Sequence, residues 1–105
     1  MGDRRGEGSV LGDLGIAYKS RGDYPHAINC YEQCRTIARE IGDRHGEGSA
    51  LYNIAVALAE LGDYANALAS AEAALRIHEE IEDPWTPEVQ KLVDRLRELA
   101  RPDAK

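Results

Sequence analysis

Apolar residues recur along the chain at the three- and four-residue spacing of an α-helix, and this spacing is interrupted every 20 residues. In the first segment the apolar positions are Val10, Leu11, Leu14 and Tyr18, and no segment alternates with the two-residue period of a β-strand. A Gly-Asp pair, replaced by Glu-Asp in the last case, marks each interruption: residues 2–3, 22–23, 42–43, 62–63 and 82–83. Gly tolerates the left-handed conformation just past a helix end, and Asp caps the first turn of the next helix.

This pattern predicts an all-α protein of five helices joined by tight turns. The expected helices are Arg4–Arg21, Tyr24–Ile41, Arg44–Leu61, Tyr64–Ile81 and Pro84–Arg101. In the last helix we expect Asp83 to be the cap and Pro84 to be the first helical residue, because proline has no N–H to leave unpaired there. Its apolar stripe is Trp85, Val89, Leu92, Val93, Leu96 and Leu99.

The chain contains an internal repeat of 40 residues. Residues 2–41 align with residues 42–81 without a gap, and both segments contain Gly-Asp-Arg, Gly-Glu-Gly-Ser and Gly-Asp-Tyr. Each copy therefore holds one pair of predicted helices. Small residues recur at places where two helix backbones must approach closely. The matching pairs are Gly15 and Ala55, Ala27 and Ala67, and Cys34 and Ala74.

The two copies resemble the tetratricopeptide repeat. The pattern of that family is met in the first copy by Leu11, Leu14-Gly15, Tyr18, Gly22-Asp23-Tyr24, Ala27, Tyr31 and Cys34. The second copy departs from it where aromatic residues become Leu58 and Ala71. A period of 40 rather than the usual period of about 34 residues resembles the long-repeat subgroup typified by kinesin light chain and spindle-orientation adaptors. The resemblance implies a right-handed superhelical stack of antiparallel helix pairs with a role in protein binding.

We predict a single domain over residues 1–105. Its expected parts are repeat one at 2–41, repeat two at 42–81, a capping helix at 83–101 and a tail at 102–105. Stacked repeats need such a polar-backed helix at an end. The first helix has no such cover, so the chain is expected to be the end of a longer array or to pair with another copy of itself.

The predicted function is a non-catalytic scaffold that binds a peptide or helix of a partner protein. The first helix of each pair lines the concave side of such a stack, so we expect a groove across the first, third and fifth helices. Its predicted residues are Asp13, Ile16, Lys19, Ser20, Tyr52, Asn53, Val56 and Glu60, with Ser9, Gly12 and Ser49 beside them. In the resembled family, an Asn at the place of Asn53 commonly holds the bound peptide, whereas its match Asp13 cannot donate a hydrogen bond.

Charge narrows the class of partner. The chain carries 13 Lys+Arg against 19 Asp+Glu, a net charge of −6, which disfavours nucleic acid and anionic membrane surfaces. Residues 42–81 hold two basic and seven acidic side chains, so a neutral or basic peptide suits the groove better than an acidic one. The absence of a secretory leader and of a long apolar run, together with only two cysteines, predicts a reduced, cytoplasmic protein.

Two other functions remain open from the sequence. One is an oligomerisation module, because the uncovered first helix exposes Val10, Leu14 and Tyr18 to contact with a second copy. The weaker one is a metal or redox sensor, because His26, Cys30 and Cys34 follow one helix face and could offer ligands to a soft metal. No fourth ligand is visible, so we expect buried thiols, no bound metal and no cofactor. No Ser-His-Asp pattern accompanies the histidines, so we expect no enzyme.

Overall fold

The computed structural model describes residues 3–102, and this range forms five α-helices. They are α1 (Arg4–Ser20), α2 (Tyr24–Glu40), α3 (Arg44–Glu60), α4 (Tyr64–Glu80) and α5 (Thr86–Ala100). Each helix packs chiefly on the helix before it and the helix after it in the chain. Because the turns are short, successive helices run antiparallel. The prediction of an all-α stack of helix pairs is confirmed. The predicted domain also includes residues 1–2 and 103–105, which lie outside the described residues.

The repeated Gly-Asp pairs end one helix and begin the next. The glycines with a left-handed backbone are Gly22, Gly42 and Gly62, at φ values of +78°, +74° and +82°. In the first turn, the Asp23 N–H donates back to the carbonyl of Tyr18 at 2.9 Å. The Asp23 carboxylate then accepts from the N–H of His26 at 3.3 Å. One dipeptide therefore closes a helix C-terminus and caps the following N-terminus.

The start of α5 differs from the prediction. The helix begins at Thr86, two residues after Pro84. The Asp83 carboxylate accepts from the N–H of Trp85 at 2.7 Å, so it caps a turn that precedes the helix rather than the helix itself. Trp85 consequently lies before α5 and is 51% exposed, outside the buried part of the stripe. The residues of that stripe that are fully buried are Val89, Val93 and Leu96.

The core runs along the stack as three clusters of buried side chains. Their buried members are Ala27, Tyr31 and Ile54 in the first, Leu51, Ala74, Ile77 and Val89 in the second, and Ala55, Ala67, Ala71, Val93 and Leu96 in the third. Small residues let the helices approach closely, since a Cβ added at Gly15 would lie 2.5 Å from the Tyr31 ring. Within residues 3–102, no helix is long and apolar enough to cross a membrane.

Candidate functional site

A groove of about 430 Å³ opens between α1 and α3. On one wall, α1 contributes Ser9, Asp13 and Ile16, and on the other α3 contributes Ser49 and Asn53. Ser9 and Ser49 are equivalent in the 40-residue repeat, as are Asp13 and Asn53, so the same turns of the two helices face one another. Ile16 is 49% exposed. The walls therefore combine hydroxyl, carboxylate and amide groups with an exposed apolar side chain.

The floor of the groove is formed by α2, chiefly by Tyr31, Cys34 and Ile37. Tyr31 is only 1% exposed, and its hydroxyl has no hydrogen-bond partner among the described residues. Burial raises the pKa of the Tyr31 phenol, so the hydroxyl remains protonated at neutral pH. The Cys34 thiol donates to the carbonyl of Gly8 at 3.4 Å, and burial raises its pKa too. The floor is thus largely apolar, with one unpaired hydroxyl.

The charged residues of the groove leave it slightly negative. Arg5 and Asp43 form an ion pair of 3.5 Å at one end. Asp13 on the α1 wall has no ion-pair partner within the described chain. His45 lies at the same end as Arg5, with its imidazole Nε2 3.3 Å from an Asp83 carboxylate oxygen. The groove therefore presents no cluster of basic side chains to an acidic ligand.

The structure brings three of the predicted groove residues together and places the other five elsewhere. Asp13, Ile16 and Asn53 line the groove. The residues outside it are Lys19, Ser20, Tyr52, Val56 and Glu60. Lys19 and Ser20 belong to the last turn of α1, beyond the end of the groove. Val56 and Glu60 each lie seven residues after a groove residue, Ser49 and Asn53 respectively, so they share the groove face of α3. They lie further along the helix and are not among the residues that line the groove.

Tyr52 and its 40-residue equivalent Gly12 differ in how far they fill the space beside their helices. Gly12 lines the groove, and a Cβ added there would come no closer than 3.9 Å to the Cys34 sulfur. Tyr52 is half-buried on the α5 side of α3, where its ring meets the Trp85 ring edge-on, with centroids 6.4 Å apart and planes at 77°. The space between α1 and α3 is therefore open, whereas an aromatic pair occupies the corresponding space between α3 and α5.

Sequence reasoning missed the floor and the charged end of the groove. Arg5 precedes Ser9 by one turn on the same helix face, and His45 is its equivalent 40 residues later, so the repeat carried a usable signal for both. Tyr31 and Cys34 carried no such signal. Their pattern predicts core positions, and only the packing of α1 and α3 on α2 shows that they also line a groove.

The metal-sensor alternative finds no support in the structure. The His26 Nδ1 lies 2.7 Å from an Asp23 carboxylate oxygen, and Cys30 is buried as a free thiol. The Cys34 thiol is also free and donates to a backbone carbonyl. Within the described part of the chain, no group of three His, Cys, Asp or Glu side chains is arranged to hold a metal ion. The three residues therefore share a helix without forming a site.

The residues predicted for self-association differ in exposure. Val10 and Leu14 are 59% and 43% exposed. Tyr18 is half-buried instead, because it packs against the cluster that contains Tyr31 and stacks on the His26 ring, with centroids 5.1 Å apart. Val10 and Leu14 thus lie on the open side of α1, and Tyr18 lies at its margin against the core.

Comparison with known families agrees with this architecture. A model of the tetratricopeptide repeat matches residues 6–80, which cover both helix pairs except the first two residues of α1. A search of curated proteins gives no match to the chain. Tetratricopeptide repeats generally mediate protein–protein interactions, and such proteins are typically non-catalytic. Because the family match spans more than half of the sequence and the helices stack in successive pairs, the chain belongs to the tetratricopeptide repeat family.

Proposed function

We propose that this protein is a non-catalytic scaffold whose α1–α3 groove binds a peptide or helix of a partner protein. The observation that carries the proposal is the placement of Asp13, Ile16 and Asn53, from two helices, around one concave space. The volume of about 430 Å³ is within the range of roughly 300–1,000 Å³ typical of ligand sites.

The groups on the groove match the needs of a peptide ligand. The Asn53 amide can donate to a peptide carbonyl and accept from a peptide N–H at the same time. Asp13 on the facing wall can only accept, and Ile16 offers apolar contact. At the floor, the unpaired Tyr31 hydroxyl costs roughly 1–3 kcal/mol as a buried group without a partner. A polar ligand group that reached the floor would remove that cost.

We propose a neutral or basic ligand rather than an acidic one. The unpaired carboxylate of Asp13 attracts a basic side chain, and Arg5 is already occupied by Asp43. A ligand carboxylate would therefore meet repulsion from Asp13 with no unpaired cation on the groove wall to offset it. The net charge of −6 also supports the proposal that nucleic acid and anionic membranes are not partners.

Two further parts of the proposal rest on sequence features. The 40-residue period supports a place in the long-repeat subgroup typified by kinesin light chain. The two thiols, which are free in the structure, support a reducing, cytoplasmic location.

A first experiment tests the groove walls. Peptides selected from a random displayed library on the wild-type protein are labelled, and their dissociation constants are measured by fluorescence anisotropy. We expect Asn53→Ala and Ile16→Glu each to weaken binding by at least about fivefold, the effect of losing roughly 1 kcal/mol. The matched controls are Asn29→Ala on the exposed side of α2 and Leu14→Glu on the other side of α1. If Asn53→Ala and Ile16→Glu both bound the peptides with wild-type affinity, this groove would be excluded as the site.

A second experiment fills the groove with the residue that repeat two carries. Gly12→Tyr is expected to abolish peptide binding, because the side chain would occupy the space above Cys34. The helix itself has room for the new Cβ, and a non-Gly residue favours the helix by up to about 1 kcal/mol. Thermal denaturation should therefore show a midpoint equal to or above that of the wild type. Wild-type affinity in Gly12→Tyr would contradict the proposal.

A further inference from the structure

The side of α1 that faces away from the groove carries a stripe of exposed residues. They are Glu7, Val10, Leu14, Ala17 and Arg21, and we refer to them as the outer seam. Alternating steps of three and four residues place side chains along one line of a helix, as in the contact line of a coiled coil. The outer seam therefore has the spacing of a helix–helix contact, with two large apolar residues, Val10 and Leu14, near its centre.

In repeat two, the residues at the equivalent positions are covered by neighbouring helices. The 40-residue equivalents of the first four seam residues are Glu47, Ala50, Ile54 and Ala57, which are 5%, 3%, 1% and 0% exposed. They are buried because α3 has α2 on one side and α4 on the other. The outer seam of α1 has the same pattern and no covering helix within residues 3–102.

The charges of the outer seam are complementary to those of a second copy. Glu7 lies seven residues before Leu14, and Arg21 lies seven residues after it. If two α1 helices pair antiparallel about a two-fold axis at Leu14, Glu7 of each copy faces Arg21 of the other. Val10 then faces the region of Ala17. A two-fold interface requires this self-complementarity.

Head-to-tail stacking, in which α4 of one copy would cover α1 of the next, is disfavoured by a comparison of α4 with its equivalent α2. In the chain, α2 covers α3 and supplies Arg39, whose Nε lies 3.3 Å from the Glu47 carboxylate. The equivalent of Arg39 on α4 is Glu79, which would repel Glu7 of a following copy. The α4 face is also already covered by α5.

We infer that this protein forms a two-fold symmetric dimer through antiparallel pairing of its outer seams. Glu7 to Arg21 spans about 21 Å of helix at 1.5 Å per residue. One helix pair of this length buries less than the roughly 1,200 Å² of a stable interface, so the dimer is weak and depends on concentration. Ile16 is two residues, or about 200°, around the helix from Leu14. Dimerisation therefore leaves the groove of each copy open, and the dimer presents two peptide sites.

The first test separates this inference from the proposed function. Sedimentation equilibrium over a hundredfold concentration range is expected to show the wild-type mass rising from 11.6 kDa toward twice that value. Leu14→Glu should remain monomeric and bind peptide normally, whereas Ile16→Glu should dimerise normally and lose peptide binding. A wild-type protein that stays monomeric throughout, or a Leu14→Glu variant that still dimerises, would overturn the dimer and leave the groove untouched.

A charge exchange tests the two-fold geometry. Glu7→Arg and Arg21→Glu should each raise the dimer dissociation constant at least about tenfold, because each homodimer then has two repulsive pairs. An equimolar mixture of the two variants should associate again, because both pairs across the axis of the mixed dimer then join one basic and one acidic side chain. Lys19→Glu, the matched change off the seam, should dimerise like the wild type. Failure of the mixture to associate would overturn the antiparallel pairing.

Cross-linking provides a measurement that does not depend on the charges. Leu14→Cys should form a disulfide-linked dimer under mild oxidation, because the two positions meet at the axis, whereas Ser20→Cys should not. Equal cross-linking at both positions, or none at Leu14→Cys, contradicts the proposed axis. Binding of a synthetic peptide with the α2 sequence to the seam of a monomeric wild-type protein would also overturn the dimer and assign the seam to a different helix.

Discussion

The two repeats share one sequence pattern, yet they bury the first helix of each pair to different extents. Ile54 of α3 is 1% exposed, whereas its equivalent Leu14 of α1 is 43% exposed. Both residues are large and aliphatic, so residue type does not explain the difference. α3 packs between α2 and α4, whereas α1 packs mainly on α2. The comparison shows that position in the stack decides which copy of an apolar stripe becomes core.

The repeats also fill the space within a helix pair differently. Repeat one combines Gly15 with Tyr31, and the Tyr31 ring occupies the place where a Cβ on Gly15 would lie. Repeat two combines Ala55 with Ala71, and the remaining space holds α5 side chains such as Val93. The two pairs therefore divide the side-chain volume between their helices differently: one large ring faces a glycine in repeat one, and two alanines face each other beside an α5 side chain in repeat two.

The largest expected effect tests the difference in burial. Ile54→Ala should lower the free energy of unfolding by about 2–4 kcal/mol, because it removes buried methyl groups and leaves a cavity. Leu14→Ala at the equivalent position should change it by less than about 0.5 kcal/mol in the monomer. Urea denaturation at low protein concentration measures both. Similar losses in the two variants would contradict the assigned difference between α1 and α3.

The next effect tests the division of volume in repeat one. Gly15→Ala should destabilise the protein by roughly 1–3 kcal/mol, because the new methyl group would lie 2.5 Å from the Tyr31 ring. Gly12→Ala is the matched control on the same helix, and its Cβ has room. The control should gain up to about 1 kcal/mol from helix propensity. Denaturation midpoints that rise in both variants would show that Tyr31 does not pack on Gly15.

A smaller effect is expected from substitutions of the equivalent glutamates Glu47 and Glu7. The Glu47 carboxylate is buried, and its oxygens lie 3.3 Å from Arg39 Nε and 2.9 Å from Arg44 Nη1. Glu47→Gln should cost about 1–2 kcal/mol, less than a fully buried ion pair, because both arginines remain partly hydrated. Glu7→Gln, which removes the exposed pair with Arg4, should cost within about 0.5 kcal/mol. Chemical denaturation at low and high salt measures the free energy of unfolding of both variants. Equal losses of stability in Glu47→Gln and Glu7→Gln would contradict the difference in burial.

The smallest effect concerns Cys34, whose equivalent in repeat two is Ala74. Burial raises the pKa of the Cys34 thiol above its usual value of 9.0, so the folded state favours the neutral thiol. This contribution to stability is complete below the unfolded pKa and is lost as pH rises through the folded pKa. Wild-type stability should therefore fall more steeply above pH 9 than that of Cys34→Ala. Identical pH profiles in thermal denaturation would show that the thiol is not shielded.

Much of the fold could be predicted because its signals are local. Four helices begin at the predicted residue and all five end within one residue of the predicted position. The first four starts and the first three ends are accurate because a left-handed Gly and an Asp cap act through neighbouring backbone groups. The predicted start of α5 at Pro84 was wrong because two local signals compete. Asp83 can cap either a helix or a turn, and its bond to the N–H of Trp85 selects the turn.

The groove was predictable only in part. The repeat places Asp13 and Asn53 at equivalent positions, so their approach across one space follows from the stacking of repeats. Tyr52 carried the same kind of signal, yet it turns toward Trp85. Whether a helix face is open or filled depends on the side chains that neighbouring helices pack against it. The residue spacing within the helix itself does not specify those side chains.

The sequence by itself determined the five helices, their order and the 40-residue equivalence between the pairs, because these depend on caps, turns and apolar spacing within each segment. Only the tertiary structure decided that the floor of the groove contains Tyr31, that Tyr52 closes the second space and that the pattern buried in α3 is exposed in α1. Burial depends on what packs against a surface, and two equivalent stripes are buried differently when one has two neighbouring helices and the other has one.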